Sequence, residues 1–517
     1  MPDKIRKLKI SFFLNDRAVS ADIFPDDTAL KILRARFGLT GTKEGCNEGD
    51  CGACTIAIGE MGNGSTAMPG AVLTINGKWE YRAYTSCLLP AARLHGKHVI
   101  TIEGLAEKDR LHPIQQAMLD HHATQCGFCT PGVIMSLFCL FARNFVPNFV
   151  PSQRKLYDAL EGNLCRCTGY LSIREAGESL SDTFKLNAGD IKGRILPAYC
   201  AKIAKQLESF NKPVEFIEIP KPQEKKCLAY HLPASLEELF DILWKIGETA
   251  EYRVICGGTD VMADANVKGA VPKHLVDISQ IRGLRFIREE GDKIVIGANT
   301  TLTNILESPA VKSRLPLLWA SAAQMASLQI RNIATLAGNL AAASAIGDAG
   351  TALLALNAVA VLTTKMGERI VPVENFYKGY RQTELCAHEV ITAIEVPVIN
   401  AVWDFQKSAK RSAVDISSVS SGFVAQVEGP VPSAPGRIEG KRIVEARIAY
   451  GGVAPTPVLA SKTMELLKGK VVDKGLIKRA AQMAESEVTP ISDVRGSKEY
   501  RGALVRNHLA KHLTKLL

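Results

Sequence analysis

Apolar and polar residues alternate along the start of the chain, and this period of two predicts extended strands. Residues 9–14 and 18–24 flank the turn-forming pair Asn15 and Asp16, so we expect a β-hairpin there. A short amphipathic helix should follow from about residue 28 to 37. Its apolar face would consist of Leu30, Leu33 and Phe37.

From about residue 104 to 180 the apolar positions follow a helical period. Cys129 precedes Thr130-Pro131-Gly132, and proline suits the first turn of a helix because its missing N–H has no partner there. Leucines at 156, 160 and 164 recur every four residues, so a second helix should end at Cys165 and Cys167. We expect a small four-helix bundle. The helix after Cys129 should bury one face with Val133, Leu137, Leu140 and Phe141.

The pattern changes again in the second half. Residues 181–226 are rich in proline, lysine and glutamate, which indicates a linker with a helix at 197–210. A new domain should begin near Cys227, and Ser235 with Glu238 forms a capping box for a following helix. Strands are expected at 252–255 and 444–450. The helix after Ser235 should bury a face formed by Leu236, Leu239, Phe240, Leu243 and Ile246. A last helix, from about Tyr500, should bury Leu504, Leu509, Leu513 and Leu516.

Charge and composition narrow the class of protein. The chain has 517 residues, enough for three or more domains, and 46% of them are apolar. Its net charge of +10 is spread without a long basic block, so we interpret it as a solubility feature or a docking surface rather than a nucleic-acid footprint. The start of the chain lacks the apolar core of a secretory signal, and no stretch approaches the ~18 apolar residues of a membrane span. We expect a cytoplasmic protein.

Thirteen cysteines are present, and eight of them form two sets of four. Clustered thiols in a chain without a secretory signal indicate a reducing compartment and metal sites rather than disulfides. The remaining five should be small buried residues. They are Cys139, Cys200, Cys227, Cys256 and Cys386.

The first set lies in a glycine-rich loop. Cys46, Cys51 and Cys54 show the C-x4-C-x2-C spacing of plant-type [2Fe–2S] centres, and Cys87 would be the fourth ligand. Glycines at 45, 49 and 52 allow positive φ and let amide N–H groups point at the sulfurs. Two alternatives stay open. Cys51 and Cys54 alone would suit a dithiol redox motif, and a zinc site would be atypical because zinc ribbons usually show two similar C-x2-C knuckles.

The second set combines a C-x2-C at Cys126 and Cys129 with a C-x-C at Cys165 and Cys167. If the two helix ends meet, four thiolates surround one small volume. That arrangement would hold an iron–sulfur cluster or a tetrahedral zinc ion. The combination of spacings is rare for zinc, and the rest of the chain favours iron and sulfur.

Other signals are weak when taken alone. Residues 62–67 fit the dinucleotide pattern G-x-G-x-x-A, but Met68-Pro69-Gly70 follows where a helix is required, so we interpret the segment as a surface loop. A glycine pair after strand 252–255 would let N–H groups approach a phosphate, or would form only a tight turn. Small residues crowd between 330 and 348, which favours close backbone packing. His508 and His512 lack a third ligand, so we expect them on a solvated face.

Together these motifs resemble a known family. The two cysteine sets, with Gln125 before Cys126 and residues 162–170 around the C-x-C, resemble the two-cluster module of the molybdenum hydroxylases, which include xanthine dehydrogenases, aldehyde oxidoreductases and carbon monoxide dehydrogenases. A departure is Leu171-Ser172, where the family usually has a proline before the isoleucine. The FAD-binding domain of the same enzymes is resembled by Gly257-Gly258-Thr259-Asp260, Arg331-Asn332, Thr335-Leu336-Ala337-Gly338-Asn339 and Asp348.

The resemblance implies an α+β multidomain architecture. A plant-type β-grasp ferredoxin domain would span 1–100, and a four-helix-bundle [2Fe–2S] domain would span 101–180. The linker at 181–226 would lead to a two-part α+β FAD-binding domain at 227–400. A C-terminal α+β flavoprotein domain would occupy 401–517.

The resemblance also implies the site residues. The metal ligands would be Cys46, Cys51, Cys54, Cys87, Cys126, Cys129, Cys165 and Cys167. The pyrophosphate of FAD would lie on Val254, Ile255, Cys256, Gly257, Gly258, Thr259, Asp260 and Val261. The adenosine and phosphate side would be lined by Thr335, Gly338, Asn339 and Asp348, with Ile394 as a further flavin-site residue. Lys407 would reach the isoalloxazine, where a cation stabilises reduced flavin; Val414 stands where the family often has an acidic residue, which leaves the acceptor open.

The implied function is electron transfer. The chain would be the iron–sulfur and flavin subunit of a xanthine dehydrogenase-like enzyme that converts xanthine, NAD+ and water to urate and NADH. The molybdenum site, and hence catalysis of hydroxylation, would lie on a molybdopterin-binding partner chain in a dimer of heterodimers. Electrons would pass through the Cys126 set, the Cys46 set and FAD to NAD+. The alternatives are the small subunit of a hydroxylase for aldehydes or N-heterocycles, a stand-alone NAD(P)H reductase, and a zinc-stabilised scaffold.

Overall fold

A computed structural model describes residues 4–61, 79–107, 110–143, 151–184, 195–223, 226–247, 251–431 and 440–517. The strands are β1 (Lys4–Leu14), β2 (Arg17–Ile23), β3 (Thr55–Met61), β4 (Trp79–Thr85), β5 (His98–Ile100), β6 (Glu215–Pro220), β7 (Ala229–His231), β8 (Tyr252–Ile255), β9 (His274–Asp277), β10 (Ile287–Glu290), β11 (Lys293–Gly297), β12 (Val359–Thr364), β13 (Gly367–Pro372), β14 (Tyr377–Gly379), β15 (Gln382–Thr383), β16 (Val390–Pro397), β17 (Val402–Ser408), β18 (Val419–Val431), β19 (Gly440–Gly451) and β20 (Val458–Leu459).

The helices complete the fold, which confirms the α+β class. They are α1 (Ala29–Ala35), α2 (Pro113–Asp120), α3 (Thr130–Arg143), α4 (Gln153–Leu160), α5 (Leu171–Thr183), α6 (Tyr199–Glu208), α7 (Leu236–Ile246), α8 (Thr259–Lys268), α9 (Leu302–Glu307), α10 (Pro309–Arg314), α11 (Pro316–Ala323), α12 (Leu328–Arg331), α13 (Leu336–Ala341), α14 (Asp348–Ala355), α15 (Val373–Phe376), α16 (Ser461–Leu467), α17 (Lys474–Ser486) and α18 (Lys498–Thr514). The dinucleotide-like residues 62–67 lie outside the described residues.

The chain divides into two compact units, each built from separate stretches of sequence. The first consists of Met1–Leu232, Thr249–Asp277 and Ser327–Ile333. The second consists of Pro233–Glu248, Ile278–Ala326 and Ala334–Leu517. The segment proposed to bind FAD is therefore shared between the units, and its two parts are described separately below.

The largest sheet of the first unit has the strand order β2-β1-β5-β3-β4, and β6 also pairs with β1. The predicted hairpin is confirmed, since β1 and β2 pair antiparallel up to Leu14 and Arg17. The segment predicted as a linker contributes α6 and β6, and β6 runs antiparallel to β1 from Lys9 opposite Glu215 to Lys4 opposite Pro220. The residues of β6 are exposed or only partly buried, so its apolar side chains do not form the buried face by which a strand is usually predicted.

Helices α2 to α5 form the predicted set of four. Helix α3 is buried along its whole circumference, from Gly132 to Ala142, so the prediction of a single buried face was too narrow. Helix α4 ends at Leu160, earlier than predicted, and Cys165 and Cys167 lie in the loop before α5. Leu164, expected on the helix, is 37% exposed in that loop.

The first unit also contains a parallel sheet with the order β7-β9-β8. Helix α8 connects β8 to β9, and these two strands pair in parallel with Ile255 opposite Asp277. Strand β8 has the predicted bounds. A loop that joins the carboxyl end of a parallel strand to a helix N-terminus is the usual place for a phosphate in such sheets.

The second unit holds a five-stranded sheet, β10-β11-β16-β12-β13, and a four-stranded sheet, β17-β18-β19-β20. Helix α18 packs on the second sheet through Leu509 and Leu513, as predicted. Leu516 is also buried but lies beyond the end of the helix at Thr514, and Leu504 is only partly buried. The expectation of a solvated face for His508 and His512 is wrong, because both side chains are buried. No helix in the described residues is long and apolar enough to cross a membrane.

The five cysteines outside the two sets do not share one environment. Cys139, Cys200 and Cys227 are buried, as predicted. The prediction is wrong for Cys386, which is exposed, and for Cys256, which is half-buried. Both of these lie in loops, where a cysteine cannot be read as a core residue from its type alone.

Candidate functional site

The loop from Thr42 to Cys54 wraps around the sulfur of Cys46. The N–H groups of Glu48, Asp50 and Cys51 donate to this Sγ at 3.5, 3.2 and 3.3 Å. The adjacent Cys51 thiol, supported by these amides, lowers the pKa of the Cys46 thiol to about 5. These contacts therefore favour a thiolate at Cys46, and the thiolate is the form of cysteine that binds metal.

Cys54 and Cys87 form a second, deeper pair beside the first. Both residues are buried, and their thiols are hydrogen-bonded to each other. Cys46 is close enough to both to affect their ionisation. Cys51 with Cys46 and Cys54 with Cys87 thus give two ligand pairs within one small volume.

Two glycines of this loop need positive φ and a third needs empty space. Gly49 has φ +85° and Gly52 has φ +66°. Gly45 does not have positive φ, contrary to the expectation for all three; a Cβ there would lie 2.8 Å from the Sγ of Cys51. Gly49 and Gly52 therefore allow the loop to turn tightly through positive φ, and Gly45 allows its backbone to lie close to Cys51.

The second cysteine set is also paired. The Sγ atoms of Cys126 and Cys167 lie 3.5 Å apart, and Cys129 is hydrogen-bonded to Cys165. Cys126 and Cys167 are exposed, whereas Cys129 and Cys165 are buried. One pair therefore faces solvent and the other faces the bundle.

The cysteines of each set lie in two pairs, and this arrangement suits a centre that contains two irons. A [2Fe–2S] cluster takes four cysteines, two for each iron, and the observed pairs match this requirement.

Side chains around the second set present an apolar rim. Phe128 is 47% exposed, Leu164 is 37% exposed and Leu171 is 56% exposed. Gln125, which the resemblance places near the molybdenum cofactor, is exposed next to Cys126. Exposed apolar side chains beside exposed thiols are typical of a surface that another protein covers.

The two cysteine-bearing loops contact each other directly. The N–H of Leu164 donates to the carbonyl oxygen of Cys51 at 2.9 Å. The Nδ2 of Asn163 donates to the next carbonyl, that of Gly52, at 3.1 Å. Two successive residues of the second loop therefore donate to two successive carbonyls of the first loop. Cys51 is itself one of the acceptors, and Cys165 directly follows the donor Leu164.

A buried polar network fixes Asn163. Its Oδ1 accepts from Ser136 Oγ at 2.7 Å and from Gln329 Nε2 at 3.3 Å, and Gln329 Nε2 also donates to Ser136 Oγ at 2.9 Å. All three residues are at most 3% exposed. Sequence reasoning missed this network because Gln329 is 193 residues from Ser136 and no local pattern marks it.

Arg331 and Asn332, which had been grouped with the FAD motif, contact the iron–sulfur part of the first unit. Arg331 Nη2 lies 2.8 Å from Glu161 Oε1, just before the second cysteine loop. Asn332 Nδ2 donates to the carbonyl of Ala83 on β4 at 2.8 Å. Arg331 at the end of α12 and Asn332 directly after it thus bind the cysteine-bearing part of the first unit through their polar side chains.

In the first unit, the proposed pyrophosphate loop lies between β8 and α8. Gly258 has φ +75° and precedes the first turn of α8, which begins at Thr259. At the other end of α8, Asn266 Nδ2 donates to the carbonyls of Asn47 and Cys87 at 3.1 and 2.8 Å. One helix therefore connects the proposed flavin loop with the first cysteine loop.

In the second unit, the proposed flavin residues fall into four environments. Asn339 Oδ1 is buried and accepts no hydrogen bond from any described residue, so it suits a donor on a bound group. The Nζ of Lys407 lies 2.9 Å from Asp348, and both side chains are largely buried. Thr335 accepts from the N–H of Gly338 at 3.0 Å and caps α13. Ile394 lies in the interior of the five-stranded sheet.

Three family models match successive parts of the chain. Residues 101–178 match a [2Fe-2S] binding domain, residues 224–399 an FAD binding domain in molybdopterin dehydrogenase, and residues 404–516 a CO dehydrogenase flavoprotein C-terminal domain. A solved chain of carbon monoxide dehydrogenase from Hydrogenophaga pseudoflava is 31% identical, with a TM-score of 0.51. The match covers 96% of that chain and 56% of this one. The chain belongs to the molybdenum hydroxylase family.

Other molybdenum hydroxylases are similar over different lengths. The xanthine dehydrogenase of Drosophila pseudoobscura pseudoobscura is 30% identical over 96% of this chain. Aldehyde oxidase 1 of Rattus norvegicus is 28% identical over 98% of it. The chain spans only 38% and 40% of the length of these two relatives. Quinoline 2-oxidoreductase from Pseudomonas putida 86 is 28% identical, with a TM-score of 0.51 over 56% of this chain and 96% of that one.

Membership of the molybdenum hydroxylases identifies the cofactors. The chain is an oxidoreductase component with [2Fe–2S] centres and FAD. The paired thiols, the thiolate-favouring amides at Cys46 and the buried acceptor of Asn339 fit these groups.

Proposed function

We propose that this chain is the electron-transfer subunit of a xanthine dehydrogenase-like enzyme. It would pass electrons from a molybdopterin-binding partner chain through two [2Fe–2S] clusters to FAD and on to NAD+, so that the complex converts xanthine to urate. The observation that carries this proposal is the hydrogen bond of 2.9 Å from Leu164 N–H to Cys51 C=O, which joins the two cysteine-bearing loops.

The proposed ligands are Cys46, Cys51, Cys54 and Cys87 for one cluster and Cys126, Cys129, Cys165 and Cys167 for the other. When bound, the clusters carry single electrons and FAD couples them to the two-electron chemistry of NAD+. The protein's task is to hold both loops at a fixed separation. The Ser136–Asn163–Gln329 network fixes Asn163 of the second cysteine loop, and the Leu164–Cys51 hydrogen bond joins the two loops directly.

The partner chain would cover the exposed thiol pair. Cys126 and Cys167 lie at the surface with Phe128, Leu164 and Leu171 around them. Covering this rim would exclude water and place the donor site next to the second cluster. A dimer of such heterodimers in the cytoplasm is the assembly that we propose.

The proposed flavin site has distinct roles for its residues. The loop 254–261 would bind the pyrophosphate with its N–H groups, and Thr335, Gly338, Asn339 and Asp348 would line the adenosine and phosphate side. Lys407 would supply positive charge to the reduced isoalloxazine. Its Nζ is held by Asp348 and by the carbonyl of Gln324 at 2.8 Å, which supports a fixed rather than a mobile cation.

Mild affinity purification from the native host tests the proposal. We expect about four irons and one FAD per chain, with molybdenum on a second, larger chain that co-purifies. Xanthine with NAD+ should give urate and NADH. Activity on an aldehyde or an N-heterocycle instead would change the substrate assignment but not the electron-transfer role.

Anaerobic mixing of the purified chain with NADH tests the acceptor separately. Bleaching of both flavin and cluster absorbance would support NAD+ as the acceptor. Flavin and clusters that stay oxidised would contradict that assignment. Iron and FAD without molybdenum or a partner would indicate a stand-alone reductase, and zinc in place of iron would contradict both readings.

A further inference from the structure

Arg93 contacts the proposed pyrophosphate loop from the iron–sulfur part of the chain. It lies in a single helical turn, Ala91–Leu94, six positions after Cys87. Its Nη1 donates to the carbonyl of Gly257 at 3.2 Å, and its Nη2 donates to the carbonyl of Cys256. The guanidinium therefore holds both carbonyls on the outer side of the loop.

A buried carboxylate and a tyrosine keep this guanidinium in place. Arg93 Nε and Nη2 each lie 2.7 Å from an oxygen of Asp277, which is fully buried at the end of β9. Tyr230 Oη donates to the same carboxylate at 2.5 Å. A bidentate pair of this kind fixes both the position and the plane of the guanidinium. Desolvation works against the charge, but the charge and hydrogen bonds of Asp277 raise the pKa of Arg93 above its usual value.

The peptide geometry transmits this orientation to the other side of the loop. In a trans peptide the C=O and the N–H point in opposite directions, and no described peptide bond is cis. Because Arg93 holds the carbonyls of Cys256 and Gly257, the N–H groups of Gly257 and Gly258 point away from it. Neither N–H donates to another residue in the described part of the chain. A guanidinium on the carbonyl side also polarises each peptide and makes its N–H a better donor to an anion.

We infer that Arg93 is a positioning residue for FAD, which turns the N–H groups of Gly257 and Gly258 toward the pyrophosphate. The inference rests on the proposed role of residues 254–261. Arg93 is contributed by the ferredoxin-like part of the chain, so the phosphate loop of the flavin segment is completed by a domain that carries a cluster. Substitution of Arg93 should therefore affect flavin binding and leave the cluster ligands unchanged.

The test uses the purified complex after removal of FAD, with variants Arg93→Gln, Arg93→Lys and Arg93→Gln/Asp277→Asn. Lysine keeps the charge opposite Asp277 but cannot reach both carbonyls as a planar fork does. The double variant removes both charges together, so that no buried carboxylate is left unpaired. Arg36→Gln is the matched control, because Arg36 is an exposed arginine of the same domain.

We expect the FAD dissociation constant to rise at least about tenfold in Arg93→Gln, Arg93→Lys and the double variant. This factor corresponds to the loss of one charge-assisted hydrogen bond. Iron content and cluster absorbance should match the wild type and Arg36→Gln. The ³¹P NMR signals of bound FAD in the oxidised complex should shift in the Arg93 variants, which a purely structural ion pair would not cause. If Arg93→Gln does not fold, the lysine and double variants decide the question.

Unchanged FAD affinity and unchanged ³¹P shifts in a folded Arg93 variant would overturn the inference. A direct change to the loop, Gly258→Val, separates this outcome from failure of the site assignment. If Gly258→Val lowers FAD affinity while the Arg93 variants do not, the loop binds FAD and Arg93 does not position it. If Gly258→Val also leaves FAD affinity unchanged, the loop is not the pyrophosphate site.

Discussion

The carbonyl oxygen of Cys51 accepts a hydrogen bond of 2.9 Å from the backbone N–H of Leu164, the residue before Cys165. One end of this bond belongs to a proposed ligand of the first cluster, and the other is one peptide from a proposed ligand of the second. The contact is made by main-chain atoms, so its geometry depends on loop conformation and on the glycines that allow the loops to meet. This makes the glycines better targets for testing the contact than Leu164 itself.

Gly52→Ala should break the contact between the loops. A Cβ at Gly52 would lie 2.7 Å from Asn163 Nδ2, and alanine would also have to adopt φ +66°. Gly38→Ala is the control, because Gly38 has φ +68° and nothing within 4 Å of a Cβ. Positive φ alone costs about 1–2 kcal/mol, and the clash should add about 1–3 kcal/mol. Thermal unfolding should show a clearly lower Tm for Gly52→Ala than for Gly38→Ala, and the magnetic interaction between the two reduced clusters should change in EPR only for Gly52→Ala.

Gln329→Met should weaken the support of the second cysteine loop. Methionine fills a similar volume but cannot donate to Ser136 Oγ or Asn163 Oδ1. The buried Ser136 Oγ would lose the donor Gln329, and Asn163 Oδ1 would keep only its hydrogen bond from Ser136. The expected cost is about 1–3 kcal/mol in unfolding free energy. Gln206→Met, at an exposed position of α6, should change stability by less than about 0.5 kcal/mol. Equal thermal midpoints for the two variants would contradict the role given to the network.

Substitution of single cysteines should separate the two clusters. Cys46→Ser and Cys126→Ser should each reduce iron from about four to about two per chain, with loss of a different cluster signal. Cys386→Ser, at an exposed position outside both sets, should leave iron unchanged. Because Cys126 and Cys167 lie together, they would bind the same iron. Cys126→Ser and Cys167→Ser should therefore change any residual cluster signal in the same way. Loss of both signals in Cys46→Ser would argue against two independent clusters.

Acid should destabilise the second unit through His508. Burial lowers the pKa of His508 to about 4, with smaller contributions from His512 and Lys511. The unfolded chain therefore binds a proton between pH 6.5 and 4 that the folded chain does not, so this contribution to stability is present above pH 6.5 and is lost as the pH falls. At pH 5.5 the loss is about 1.4 kcal/mol. The drop in Tm from pH 7.5 to 5.5 should be smaller in His508→Gln than in the wild type, whereas His121→Gln should behave as the wild type.

Features that depend on short stretches of sequence could be predicted, and contacts between residues far apart in the sequence could not. The spacing of Cys46, Cys51 and Cys54 and the strand before Gly257 follow from short stretches, because cluster loops and strand periodicity are local properties. Strand β6 was missed because its partner β1 is far away in the sequence and because its apolar residues are exposed or only partly buried, within a segment rich in lysine, glutamate and proline. His508 and His512 were misjudged for a related reason. Ser408, Ser421 and Asp404, which satisfy their ring nitrogens, are more than 80 residues away.

The interleaving of the two units limits how this protein can be dissected. Residues 249–277 and 327–333 belong to the first unit, although sequence on both sides of 327–333 belongs to the second. A single cut near residue 226 would remove β8, α8 and β9 from the unit that they complete, together with Gln329 and Arg331. The iron–sulfur half expressed alone would then expose the buried surfaces of Ser136 and Asn163 to water. Genetic separation of cluster and flavin modules in this chain would thus need the short helix α12 to be supplied again, as a peptide or as an added segment.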